Sequence, residues 1–217
     1  MVYRIFSIKD ITDEITKKYF PMLTEARREK LLSMKDGVFA AKLFLAEILA
    51  RQTLSELCDA PEFAFDLLIH PDSKCIVSNF NAFISVATSG DYVACCASRS
   101  SVGISINAPV GFSFADAQKL LSDAEIRNLY SYSKYSLTEI LNQSECDEKV
   151  VCEKFSQYQS LKNACFLSSG RGIRSAVSKI SFDMTQESII CSDSNYQVVY
   201  SEFLSDKNLA CSIIEKI

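Results

Sequence analysis

The 217-residue chain has no tryptophan, one histidine, six glycines and four prolines. So little glycine and proline excludes a collagen-like fibre and a long flexible linker. The lone histidine, in His70-Pro71, reads as a surface turn and cannot supply a histidine-based metal or proton-relay cluster. No apolar run approaches the 18 or more residues of a membrane span. Positive charge is not in excess: the formal net charge is −4 and the pI is about 5.2. That argues against nonspecific binding to nucleic acid or an anionic membrane. The sequence contains no G-x-x-x-x-G-K-[ST], no G-x-S-x-G and no H-E-x-x-H, so the common nucleotide, hydrolase and metalloprotease signatures are missing.

What is present is an ordinary globular composition, 48% apolar and 23% charged. A chain of this length buries a core without staples. The segment Met1–Asp10 is charged too early for a signal peptide, so a cytosolic protein is expected. Nine cysteines, at 58, 75, 95, 96, 146, 152, 165, 191 and 211, form no C-x-x-C pair. In a reducing compartment they read as small reduced hydrophobes. Cys95 and Cys96 are adjacent, which in a strand sends them to opposite faces; a thiol redox role rests on cysteine count alone.

Residues 2 to 8 read as a strand. Thr12 or Asp13 caps a short helix ending near Pro21, and Thr24 opens a second helix that carries Arg27 and Lys30 on one face. Asp36 opens the longest helix, Gly37 to Leu57. One stripe of it is Val38, Ala41, Leu45, Ile48 and Leu49, and another is Phe39, Leu43, Ala46 and Ala50, so it is expected to be mostly buried. Strands are expected at 83–87, 92–97 and 102–106. A helix follows from Phe114 to about Tyr132, with a Ser122/Glu125 capping box inside it or at a break. The polar segment 133–147 reads as a loop. A helix over Glu148–Ser169 ends at Gly170. Four strand-like runs, 176–182, 188–191, 197–203 and 209–214, suggest an antiparallel meander. No fixed-period repeat is visible, and an α+β chain follows.

Three segments go further. They are I-S-V-A-T-S-G-D-Y-V at 84–93, V-G-I-S-I-N at 102–107 and F-S-Q-Y-Q-S-L-K-N-A-C-F-L-S-S-G-R-G-I at 155–173. Their order and spacing resemble the large, surfactin-synthetase-activating type of 4′-phosphopantetheinyl transferase. That family has F-N-x-S-H-S-G, then a G-I-D-I-E strand, then a helix with W-x-x-K-E-[SA] and a G-x-G. The run R-R-E-K at 27–30, the helix end L-A-E-I-L-A-R at 45–51 and Lys74 extend the likeness over nearly the whole chain. It rests on collinearity, since no single motif is intact.

The resemblance implies transfer of phosphopantetheine from coenzyme A to a serine of an apo acyl or peptidyl carrier protein, with magnesium bridging the pyrophosphate. Two carboxylates two apart on a strand lie side by side, and a helix supplies a third. Here those three positions are Ser105, Asn107 and Asn163. The family's histidine is Thr88, its helix-opening aromatic is Gln159, and its later lysine is Leu167. Lys162, Ser89, Gly90, Gly170 and Gly172 remain, with Lys162 the catalytic candidate. Three lost charges remove most of the attraction for a divalent ion. Glu125 aligns with a glutamate common in the family. Arg27, Lys30, Lys42, Lys74, Thr88 and Ser89 are the coenzyme A-binding candidates; a solvated charged face explains the four basic ones equally well.

The implied architecture is two pseudo-twofold α+β subdomains, 1–100 and 101–217, each a long helix on a small, largely antiparallel sheet. The site would lie between them, in a monomer. Two functional expectations follow. One is a divergent transferase with weakened or lost activity. The other is a catalytically silent homologue that binds coenzyme A, a carrier protein or another partner.

Overall fold

The computed structural model describes residues 1–69, 75–135, 139, 146–170, 179–186 and 188–217. His70, Lys74, Gly172, most of 133–147 and the start of the strand expected at 176–182 lie outside them. The chain divides into two units, Met1–Ser100 and Ser101–Ile217. It is mixed α+β with small antiparallel sheets.

In the first unit, β1 is Val2–Ser7, α1 Asp13–Tyr19, α2 Glu25–Ser33 and α3 Gly37–Cys58. Each helix starts where a short polar side chain takes an otherwise unpaired backbone N–H. The Thr12 hydroxyl accepts from Ile15 N at 3.3 Å and the Thr24 hydroxyl from Arg27 N at 3.3 Å. The Asp36 carboxylate accepts from Phe39 N at 3.0 Å. Strands β2 (Leu67–Ile69) and β3 (Cys75–Val77) pair as a small hairpin that the sequence reading did not name. Strands β4 (Phe83–Ser89) and β5 (Tyr92–Ser98) turn at Gly90, whose φ of +53° a side chain would oppose. The sheet order is β1-β5-β4. Leu45, Leu49 and Leu54 of α3 pack on Val86, Val93 and Cys95. The first turn of α3 departs from the expected buried stripes, because Val38 and Phe39 are exposed.

The second unit holds β6 (Val102–Asn107), α4 (Phe114–Leu120), α5 (Asp123–Tyr130) and α6 (Lys149–Ser169). The single helix expected at 114–132 is broken at Leu121. There Ser122 and Glu125 form a capping box, which starts a new helix in place of continuing the old one. Gly170, at φ +63°, ends α6. Strands β7 (Phe182–Asp183) and β8 (Ile190–Cys191) pair by themselves, and β9 (Tyr196–Leu204) pairs with β10 (Leu209–Lys216). The expected meander is therefore replaced by two separate pairings. In the larger sheet, of order β6-β10-β9, the last strand inserts beside the first.

Among the described residues, both units share one topology. A strand leads through two short helices to a long helix, a two-stranded hairpin and a closing hairpin whose last strand sits between its partner and the unit's first strand. The repeat has no fixed sequence period because the two copies share pairing order and not residues.

Close approach of α6 to its sheet depends on Gly103. A Cβ there would lie 2.0 Å from the Ala164 carbonyl oxygen and 2.6 Å from Ser168 N, both backbone atoms with little freedom to retreat. Gly103→Ala is expected to lower stability by about 3 kcal/mol, read as a drop in the urea midpoint at unchanged slope.

Candidate functional site

Strand alternation puts Gly103, Ser105 and Asn107 on one face of β6, and Gly103 marks that face as the one against α6. Ser105 is therefore buried against a helix and not on an open strand face. Asn107 Nδ2 donates to Ser105 Oγ at 3.0 Å. The Ser160 hydroxyl of α6 donates to the Ser105 carbonyl at 2.8 Å. Ser212 sits opposite Ser105 on β10, and its hydroxyl lies 2.9 Å from that of Ser201 on β9. The result is a buried hydroxyl track across three strands. Asn163 is exposed on α6, so the structure brings Ser105 and Asn107 together and leaves Asn163 in solvent.

Lys162 is neither exposed nor facing Ser105. It is 1% accessible, and its ammonium donates to Glu125 Oε2 at 2.9 Å and to the Ile180 carbonyl. Glu125 is 2% accessible. Its Oε2 also accepts from Ser122 N at 2.7 Å, and its Oε1 from Phe182 N at 2.8 Å. The carboxylate is thus fully committed to one cation and two backbone donors. A magnesium ion needs several hard oxygens, preferably charged. Ser105 Oγ is engaged by an amide, Asn163 faces water and Glu125 is committed elsewhere, so these residues do not fit such an ion. Among the described residues no group of three or more His, Cys, Asp or Glu side chains could hold a metal.

In the first unit Thr88 is exposed and Ser89 half-buried beside the Gly90 turn, and Lys42 is half-buried on α3. Asp91 of that turn pairs with Lys9 at 2.7 Å. That hydrogen bond, with a smaller contribution from Lys42, holds its carboxyl below the usual range.

Arg27 and Lys30 belong elsewhere. They line a cleft of about 630 Å³ together with Met22, Phe63, Glu47 and Arg51. Glu47 and Arg51 are buried, joined at 3.0 Å, and Arg27 Nε lies 3.7 Å from the other Glu47 oxygen. Arg51 Nη1 donates to the Glu62 and Phe65 carbonyls at 3.1 and 3.2 Å. Sequence reasoning passed over Glu47 and Arg51. The available signal was an acid and a base four apart inside the apolar run L-F-L-A-E-I-L-A-R, a pairing that spans one helical turn.

Cys95, Cys96, Cys146, Cys152, Cys165 and Cys211 are buried, and Cys58 and Cys191 half-buried. Cys95 and Cys96 are inaccessible, with Cys95 against the Thr53 hydroxyl at 3.5 Å. Burial pushes Cys95, Cys165 and Cys211 up to about 12. A thiol raised that far stays protonated until strongly alkaline pH and is a poor nucleophile below it.

Compared with known proteins, the chain matches no family model and no curated protein sequence. No helix of the described residues is long and apolar enough to cross a membrane.

Two predictions follow from these contacts. Lys162→Met leaves a buried carboxylate without its cation and is expected to cost about 3–5 kcal/mol. Adding Glu125→Gln to it should restore part of that loss, measured by a double-mutant cycle in urea. Native protein treated with iodoacetamide at pH 8 should keep Cys95, Cys165 and Cys211 unmodified by peptide mass mapping, while unfolded protein loses all three thiols.

Proposed function

We propose that the protein is a phosphopantetheinyl-transferase-like chain whose transfer chemistry is weakened or lost and whose remaining role is binding, of coenzyme A or of a carrier protein. The observation that carries this reading is the Asn107–Ser105 hydrogen bond. Two carboxylates at these neighbouring positions would repel one another and be reconciled by a cation between them. A hydroxyl and an amide satisfy each other directly and need no ion. Support for a binding role, whatever the ligand, comes from basic residues that persist in the first unit: Arg27 and Lys30 line a cleft, and Lys42 is half-buried on α3.

Calorimetric titration with coenzyme A, with and without magnesium, tests this. Binding of equal strength in both conditions is the expected result. Binding that requires magnesium would overturn the loss of metal chemistry, and no binding in either would remove the coenzyme A role. The triple change Ser105→Asp, Asn107→Glu, Asn163→Glu should create a magnesium-dependent rise in Tm that the natural chain lacks, together with transfer to an apo carrier protein. Any one of these changes alone should yield neither, because a single carboxylate supplies too little charge to hold a divalent ion.

A further inference from the structure

The cleft of the first unit has a composition that coenzyme A does not explain. Arg27, Lys30 and Arg51 face Glu47 and Asp66 around it, so three cations against two carboxylates leave one net positive charge. A nucleotide bearing several phosphates would bring more negative charge than the cleft can balance. The rest of the wall is largely apolar, formed by Met22, Phe63, Phe65 and Leu67. Phe63 is 73% accessible, an aromatic ring left in water at the edge of a concave surface. The volume, about 630 Å³, falls in the range of small-molecule pockets.

One donor in this wall has no partner. Arg51 is 6% accessible and both its terminal nitrogens are engaged, but Nε is buried with nothing to receive its hydrogen. With under 1 Å² of accessible surface that N–H is covered by the protein itself, so it is Arg27 and Lys30 that offer positive charge to the cleft. Thr24 and Ala26, from the first turn of the nine-residue helix α2, line the same cleft. The unpaired N–H groups and dipole of that turn favour negative charge.

We propose that this cleft binds a small organic monoanion with an apolar body, of which a medium-chain carboxylate is the matching class. The carboxylate sits toward Arg27 and Lys30, and the hydrocarbon lies against Met22, Leu67 and Phe63. This goes beyond the coenzyme A reading, since it assigns Arg27 and Lys30 a different ligand.

The test is calorimetric titration of the full chain with decanoate below its micelle concentration, beside decyltrimethylammonium of the same chain length. Decanoate is expected to bind one to one, and the cationic amphiphile at least about tenfold more weakly. Phe63→Ser and Lys30→Glu alter accessible side chains and should leave folding intact; each should weaken decanoate about tenfold, through lost apolar contact and reversed charge respectively. Absent decanoate binding, equal binding of the two amphiphiles, or binding unchanged in both variants would overturn the proposal. Coenzyme A is then titrated into the decanoate complex. Displacement of decanoate would make the cleft a nucleotide site and overturn the monoanion assignment alone. Decanoate binding with no coenzyme A binding at any concentration would leave the cleft assignment standing while the coenzyme A reading fails.

Discussion

Each unit is organised by a buried cation on its long helix that reaches across to the segment following that helix. In the first unit Arg51 donates to the Glu62 and Phe65 carbonyls and pairs with Glu47. In the second, Lys162 donates to the Ile180 carbonyl and pairs with Glu125, which in turn accepts from Phe182 N. A buried charge is tolerated only when every polar neighbour is satisfied. Here the cations satisfy the Glu62 and Phe65 carbonyls in the first unit and the Ile180 carbonyl in the second. Phe65 and Phe182 are both fully buried beside these contacts. The clamp thus determines where the chain returns toward its small hairpin, and so where the closing strands begin.

This accounts for the two fates of the basic residues. Lys162 looks like a catalytic lysine in sequence, and the fold spends it on holding Glu125 and the return segment. Glu125 is in turn committed to Lys162 and to the Ser122 and Phe182 backbone N–H groups. The hydroxyl–amide pair of Ser105 and Asn107 is self-sufficient. In the first unit the same kind of clamp is incomplete, since Arg51 retains one N–H that the protein itself does not use.

The sequence already carried most of the local structure. Thr12, Thr24, Asp36, Ser122 and Gly170 mark helix ends because the demand for caps is local and chemical. The strands at 83–89, 92–98 and 102–107 follow from runs of small and β-branched residues between turn formers. The strands at 67–69 and 75–77 are too short to carry a periodic signal, and Val38 and Phe39 look buried only if apolar spacing is read without knowing where the core ends.

What the sequence by itself determined is the long helices, most of the longer strands and the α+β class. Tertiary structure alone decided the pairing order, with the last strand of each unit beside its first, because register between distant strands depends on long-range packing. It also decided which charges are available. Lys162 is indistinguishable from a surface residue by type or spacing, Glu47 and Arg51 are marked only by their spacing within an apolar run, and burial among carbonyls and aromatic rings turns all three into clamps. Lys30 and Phe63 remain at the surface beside a cleft whose walls come from segments more than fifty residues apart, Met22 to Ser78, and no local pattern announces that those segments converge.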